Sequence, residues 1–302
     1  MSDQALEFDR VTRRFGATVA LRELDLAVEP GSVLGLVGRN GAGKTTSLRL
    51  AHGILHPDAG RIRVLGLDPT SRPIEVATRV SLLSEETHLY PWMTVGEILD
   101  FAGALHPGWD RELARSLSKR LELDTAPRIR TLSRGTRAKL ALVLAASSRP
   151  ELLLLDDPTA GLDPLVRREL LEGLLEAIPA EGGAVVYASH LIHDVERIAD
   201  RVAVLDGGRL RLEGSLEELK RRVRQVTAVF DGGPPREVDL PGLIDLQADG
   251  RVLSAIVQGD DAALAERIRG LGASAVEVEP LSLEEILVGC LRGESRREVQ
   301  NV

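Results

Sequence analysis

Between residues 38 and 46 the chain reads Gly38-Arg39-Asn40-Gly41-Ala42-Gly43-Lys44-Thr45-Thr46, a glycine-rich run closed by a lysine and two hydroxyl residues. This is a P-loop pattern, and its natural guest is phosphate. Glycines let successive backbone N–H groups curl around an anion. The helix that follows aims its positive N-terminus at the same point, Lys44 reaches the terminal phosphates, and the Thr45 hydroxyl is placed for a magnesium ion. An ordinary glycine turn would not call for lysine here, and the chain has only four: Lys44, Lys119, Lys139 and Lys220. Two other places carry chemistry. Asp156 and Asp157 follow four consecutive leucines, Leu152 to Leu155, and His190 follows the apolar run Ala184 to Ser189. Carboxylates at the C-terminal end of a buried strand stand where α/β sheets bind ligands. Asp156 suits a magnesium water shell, and Asp157 is placed to orient or deprotonate a water attacking a γ-phosphate. An aspartate before proline also caps turns, so the pair has a structural reading as well.

These residues need strands and helices to hold them. Val33-Leu34-Gly35-Leu36-Val37 is a strand leading into the glycine loop, and Thr46 to Leu55 is helix-like. Upstream, residues 4 to 37 alternate apolar and polar positions with a turn at Glu29-Pro30-Gly31, which predicts a small β-layer. Phe15 in that layer reads locally as core, or as an aromatic able to stack on a purine. Arg61 to Leu65 and Arg79 to Leu83 predict further strands. From Thr94 to Ala146 the apolar period is helical, which predicts a helical insertion. Within it Ser133 is an N-cap and Gly135 leaves first-turn N–H groups uncovered, giving either a second anion-binding helix end or an ordinary capped helix. Asp163-Pro164 opens a further helix. His190 and His193 share helix-face spacing, but no third ligand lies near enough to suggest a metal site.

Composition narrows the classes. With 302 residues, 43% of them apolar, the chain has room for a large domain plus an appendage, and no apolar run approaches the roughly 18 residues of a membrane span. The N-terminus lacks a secretory pattern, and the single Cys290 excludes an internal disulfide, as expected of a cytoplasmic protein. A net charge of −8 without a basic block argues against nucleic acid as a partner. Arg221, Arg222 and Arg224 read as a solvated helix end.

In this order the elements resemble the ATP-binding cassette (ABC) ATPases over about residues 4 to 220. The resemblance makes Gly38 to Thr45 the Walker A loop and Leu152 to Asp156 the Walker B strand. It makes Leu132 to Thr136 the signature, Ala160 to Asp163 the D-loop, and His190 the switch histidine. It places Phe15 as the adenine-stacking aromatic and Glu85 at the Q-loop position near the magnesium. The implied fold is an α/β P-loop NTPase core with an N-terminal antiparallel β-layer and a helical insertion at about 88–145. Residues 1–220 form this ATP-binding domain, and 221–302 form a small α+β C-terminal appendage like that of export-type cassettes. The implied sites are Asp157, His190 and Glu85 for catalysis, and Thr45, Asp156 and Glu85 for Mg2+. Phe15, Gly38, Asn40, Gly41, Gly43, Lys44, Thr45, Thr46, Ser133, Gly135 and Asp163 bind ATP. The family implies a head-to-tail dimer with two ATP molecules between Walker A of one chain and the signature of the other. One cassette per chain makes a homodimer the simplest assembly, peripheral on the inner face of the membrane and bound to a separate integral-membrane permease. Tyr90, Trp92 and Met93 are candidates either for permease contact or for the core.

Three features depart from the family pattern. Asp157 stands where glutamate is usual, which implies slow hydrolysis. Glu85 stands where glutamine is usual, and the signature reads Leu-Ser-Arg-Gly-Thr. A soluble ATP-gated regulatory clamp without transport is the alternative function. A GTPase or small-molecule kinase would leave the signature and His190 unexplained and would lack its Asn-Lys-x-Asp reader, since asparagine occurs only at 40 and 301.

Overall fold

The computed structural model describes residues 4–84, 88–178, 182–235 and 238–297, in two compact units, Met1–Leu210 and Arg211–Val302. In the first, β1 (Leu6–Phe15), β2 (Thr18–Val28) and β3 (Val33–Val37) lead into α1 (Lys44–Ala51). Next come β4 (Ala59–Val64), α2 (Pro73–Arg79) and β5 (Val80–Leu83). The helical block holds α3 (Val95–Leu105), α4 (Arg111–Arg120) and α5 (Arg134–Ser147). Then follow β6 (Leu152–Asp156), α6 (Pro164–Ala177), β7 (Ala184–Ser189), α7 (Ile192–Ile198), β8 (Arg201–Asp206) and β9 (Arg209–Ser215).

Two sheets share the core of this unit. The order β2-β1-β4 makes an antiparallel layer, with Leu6 opposite Val28 on one side and Val64 on the other. The second sheet runs β5-β6-β7-β3-β8-β9, parallel from β5 to β8, and its last strand carries the chain into the second unit. Every residue of β3, β6 and β7 is buried. That is why Leu152 to Leu155 can be a run of leucines: covered on both faces, each contributes about 1.5–3 kcal/mol. The register pairs Val37 with Ser189 and Asp156 with Ala188, so β3, β6 and β7 end side by side. Their loops therefore open on one edge of the sheet.

The helices carry local start signals. Thr94 caps α3 in a reciprocal capping box with Glu97, and Asp110 accepts from Glu112 N and Leu113 N at the start of α4. The helix α2 has no counterpart in the sequence reading. It is seven residues long and buries only Val76, so it presents no apolar stripe to detect.

In the second unit, α8 (Leu216–Arg222) precedes β10 (Val223–Val229), β11 (Leu243–Asp249) and β12 (Val252–Gln258), then α9 (Asp261–Gly270), β13 (Ala275–Pro280) and α10 (Leu283–Arg297). The strands form an antiparallel sheet in the order β11-β12-β10-β13. Val226, Ala228, Leu253, Ala255 and Val257 on one face pack with Leu264 and Ile268 of α9. Asp260 caps α9 by accepting from Ala262 N and Ala263 N.

Candidate functional site

The glycine loop occupies the end of β3. Gly38 is buried where the strand stops, Asn40 and Gly41 are exposed at the loop's crest, and Thr46 is half-buried in the first turn of α1. Gly43 sits immediately before α1 with φ of 109°, and a Cβ there would lie 2.6 Å from Leu21 Cδ2 and 2.7 Å from Ala20 O. Only glycine fits that conformation and that approach to β2. Lys44 Nζ donates to Gly38 O at 2.8 Å and Arg39 O at 3.3 Å, folding back along the loop. Burial lowers the Lys44 pKa, while the Asp157 and Asp156 charges pull it back up.

Thr45 Oγ1 donates to Asp156 Oδ1 at 3.0 Å, which joins the start of α1 to the end of β6. Burial raises the Asp156 pKa; the Thr45 hydrogen bond opposes this, and the charge of Asp157 adds to it. One residue on, Asp157 adopts φ of 46°, a left-handed conformation that aspartate tolerates better than most residues. The turn aims its carboxylate along the sheet edge toward β7. Asp157 Oδ1 accepts from Ser189 Oγ at 2.9 Å and His190 N at 3.2 Å, and lies 2.9 Å from His190 Nδ1. Asp157 also lines a cavity of about 530 Å³ together with Ser84, Arg134 and Arg137.

Behind this pair lies a buried ionic network. Asp194 of α7 is 2% exposed. Its Oδ2 accepts from Thr159 Oγ1 at 2.6 Å and Tyr187 Oη at 3.2 Å, and its Oδ1 from Arg167 Nε at 2.6 Å. Burial, then the charge of Asp194, pushes the Tyr187 phenol far up. The network ties the segment after Asp157 to β7, which ends just before His190, and to α6, which begins after Asp163.

Ser133 caps α5: its Oγ accepts from Thr136 N at 3.1 Å and lies 2.8 Å from Thr136 Oγ1. Gly135, in the first turn, faces Val166 of α6. The Arg134 guanidinium lies over the turn that precedes α6, since a Cβ on Gly161 would come 2.6 Å from Arg134 Nη1. Asp163 caps α6 by accepting from Leu165 N and Val166 N, each at 3.1 Å. Phe15, at the end of β1, is 45% exposed and is not core. Glu85 lies outside the described residues.

The comparisons with known proteins agree with this geometry. Residues 21–160 match the family model described as ABC transporter. The daunorubicin resistance ATP-binding protein DrrA3 of Streptomyces coeruleorubidus is 34% identical, over 98% of each chain. The chain belongs to the ABC transporter ATP-binding proteins. The Nod factor export ATP-binding protein I of Paraburkholderia xenovorans (strain LB400) is 36% identical over 71% of this chain and 72% of its own. A solved structure described as the ATP-binding subunit of an ABC transporter aligns with a TM-score of 0.65 at 27% identity, over 72% of this chain and 92% of that one.

In this ABC ATPase, sequence reasoning found the loops but missed the network. Thr159, Arg167, Tyr187 and Asp194 are spread over 35 residues, and no spacing rule links them. The one local signal was an aspartate inside the apolar pattern of α7. Ser189, the hydroxyl next to His190, was likewise read only as the end of a strand. The donors near β6 fit a magnesium ion: the Thr45 hydroxyl and the Asp156 carboxylate are hard oxygen ligands. A dication would also offset the burial that raises the Asp156 pKa.

Proposed function

We propose that this ABC ATPase drives export through a separate membrane permease, closing as a homodimer around two ATP molecules. Cassettes of this family dimerise and pair with membrane permeases. The observation that carries the proposal is the Asp157–His190 pair beside Thr45–Asp156, at the edge where the Lys44 loop opens. In this reading the loop amides of residues 38–43 and Lys44 hold the phosphates of ATP. Thr45 and Asp156 hold magnesium, which supplies charge neutralisation on the phosphates when bound. Asp157 accepts the proton of the attacking water, and His190, held at 2.9 Å from it, orients that carboxylate and faces the terminal phosphate. Ser133 and Gly135 of the second copy close over the γ-phosphate, with the exposed start of α5 as their anion-binding end. Because both copies touch ATP only when closed, ATP shifts the population toward the dimer. Asp157, one methylene shorter than the usual glutamate, makes hydrolysis slow.

Two features support export. The relatives named for daunorubicin resistance and Nod factor export match it at 34% and 36% identity. An exposed aromatic patch also fits a docking site for a permease: the Tyr90 ring meets Trp92 at a tilt, 5.2 Å between centroids, and Phe101 edge-to-face at 5.9 Å. Trp92 is 62% exposed and Leu105 66%. Large aromatics left in water beside a helical block mark an interaction surface. The test is affinity purification of the chain from membranes of its own cells. Recovery of a membrane protein encoded beside it, with vanadate-sensitive ATPase activity, is expected. Recovery with nucleic acid and no membrane protein would overturn the proposal.

A further inference from the structure

The end of β1 holds a pair that the family reading does not use. Arg13 and Phe15 are two apart near the end of β1, where the ladder with β2 is irregular at Arg13, and their side chains meet. The Arg13 guanidinium lies over the Phe15 ring, its carbon 4.8 Å from the ring centroid, well within cation–π range. Arg13 Nη1 is fixed by Asp58 Oδ1 at 3.1 Å, and the other oxygen of that carboxylate accepts from Arg14 N. Arg13 Nε is buried without a hydrogen-bond partner. The guanidinium thus gives up a hydrogen bond while its carbon lies over the ring. One face of Phe15 is occupied, and the ring is still 45% exposed.

The register places this pair next to the phosphate loop. Arg13 is opposite Leu21 in the β1–β2 ladder, and Leu21 is the residue packed against Gly43. Phe15 is opposite Thr18, two residues nearer the turn. A nucleotide whose phosphates lie in the loop would have its base near this strand end.

We infer that Arg13 is a positioning residue for the base of the bound nucleotide, acting through Phe15 from the far side of the ring. The inference rests on the reading of Phe15 as the adenine platform. Two physical effects lead to it. A cation on one face draws the ring's π density toward itself, so the free face repels the π cloud of a purine less. The guanidinium, held by Asp58, also fixes the ring plane before the base arrives, which removes part of the ordering cost of binding. Neither effect requires Arg13 to touch the nucleotide. Both vanish if the ring or the base is absent, and this separates them from simple attraction between a surface arginine and a polyanion.

The experiment is a double-mutant cycle on the full chain, with Arg13→Gln, Phe15→Leu and the pair, read by calorimetric affinity for ATP and for inorganic triphosphate. Arg13→Gln is expected to weaken ATP about two- to fivefold, to leave inorganic triphosphate unchanged, and to have no effect on ATP once Phe15 is leucine. Equal weakening of both ligands, or an undiminished effect in the Phe15→Leu background, would overturn the inference while leaving the platform reading intact. Unchanged ATP affinity in Phe15→Leu alone would overturn the platform reading, and the inference with it. Arg13→Met keeps the aliphatic stem without the charge. It should reproduce the Arg13→Gln values with an unshifted melting temperature, and parent-like ATP affinity in Arg13→Met would also overturn the inference.

Discussion

Replacing Asp157 by asparagine separates chemistry from architecture in one atom. The substitution keeps the side-chain shape and an oxygen acceptor, and asparagine accepts the left-handed backbone, here φ of 46°, at least as well as aspartate. The hydrogen bonds from Ser189 Oγ, His190 N and His190 Nδ1 persist but lose their charge assistance. At roughly 0.5–1 kcal/mol each, that totals about 1.5–3 kcal/mol. Against it, the neighbouring Asp156 loses a negative charge that was pushing its pKa up. The net cost is about 1–2 kcal/mol, or a melting temperature lower by about 2–8 °C. The substitution also removes the proton acceptor proposed above, and general-base catalysis contributes about 10²–10⁴-fold. Stability and turnover therefore respond on very different scales. Single-turnover phosphate release should fall by at least about 10²-fold while ATP affinity stays near the parent value. Light scattering in magnesium and ATP should show a longer-lived dimer. Phosphate release within threefold of the parent would show that Asp157 is not the base, and loss of ATP binding would show that it is structural.

Two further substitutions address the same edge of the sheet. Asp157→Glu restores the length usual in the family and should raise kcat, by up to about 10²-fold if one transition-state hydrogen bond is regained; an unchanged kcat would mean that the shorter side chain already holds the water. Asp156→Asn should abolish magnesium-dependent turnover yet raise the melting temperature of the nucleotide-free protein at neutral pH. The folded pKa of Asp156 is raised, so its ionised form destabilises the fold above that pKa and costs nothing below the unfolded value. The gain should shrink as the pH is lowered toward the ordinary aspartate range, and a gain that is constant with pH would contradict the assignment to burial of charge.

The parts of this molecule legible in sequence are those whose physics is local. The loop at 38–46, the leucine strand Leu152 to Leu155, the N-caps at Ser133 and Asp163 and the helix Asp261–Gly270 each carry their cause within a few residues. Strand β11 does not: it is an edge strand reading Leu-Ile-Asp-Leu-Gln-Ala-Asp, and only Asp245 within it is buried. Local pattern left Phe15, Tyr90 and Trp92 open between core and surface, because an aromatic at a strand end or in a loop looks the same in either place. Exposure decides it: 45%, 44% and 62%, respectively. The left-handed backbone of Asp157 is equally invisible: its N–H donates to Ala188 O of β7, a partner distant in sequence.

The Asp194 network limits how this chain can drift over generations. A carboxylate 2% exposed and shared by Arg167, Thr159 and Tyr187 is tolerable only while its partners remain. Losing Arg167 alone strands a buried charge, at about 3–5 kcal/mol, whereas exchanging the ion pair together for apolar residues is often neutral. Any lineage that leaves this arrangement must change Arg167 and Asp194 nearly together, through an intermediate carrying most of that penalty. Related chains should therefore show the two positions changing as a pair, and a chain with one replaced should carry a compensating residue within reach of the other.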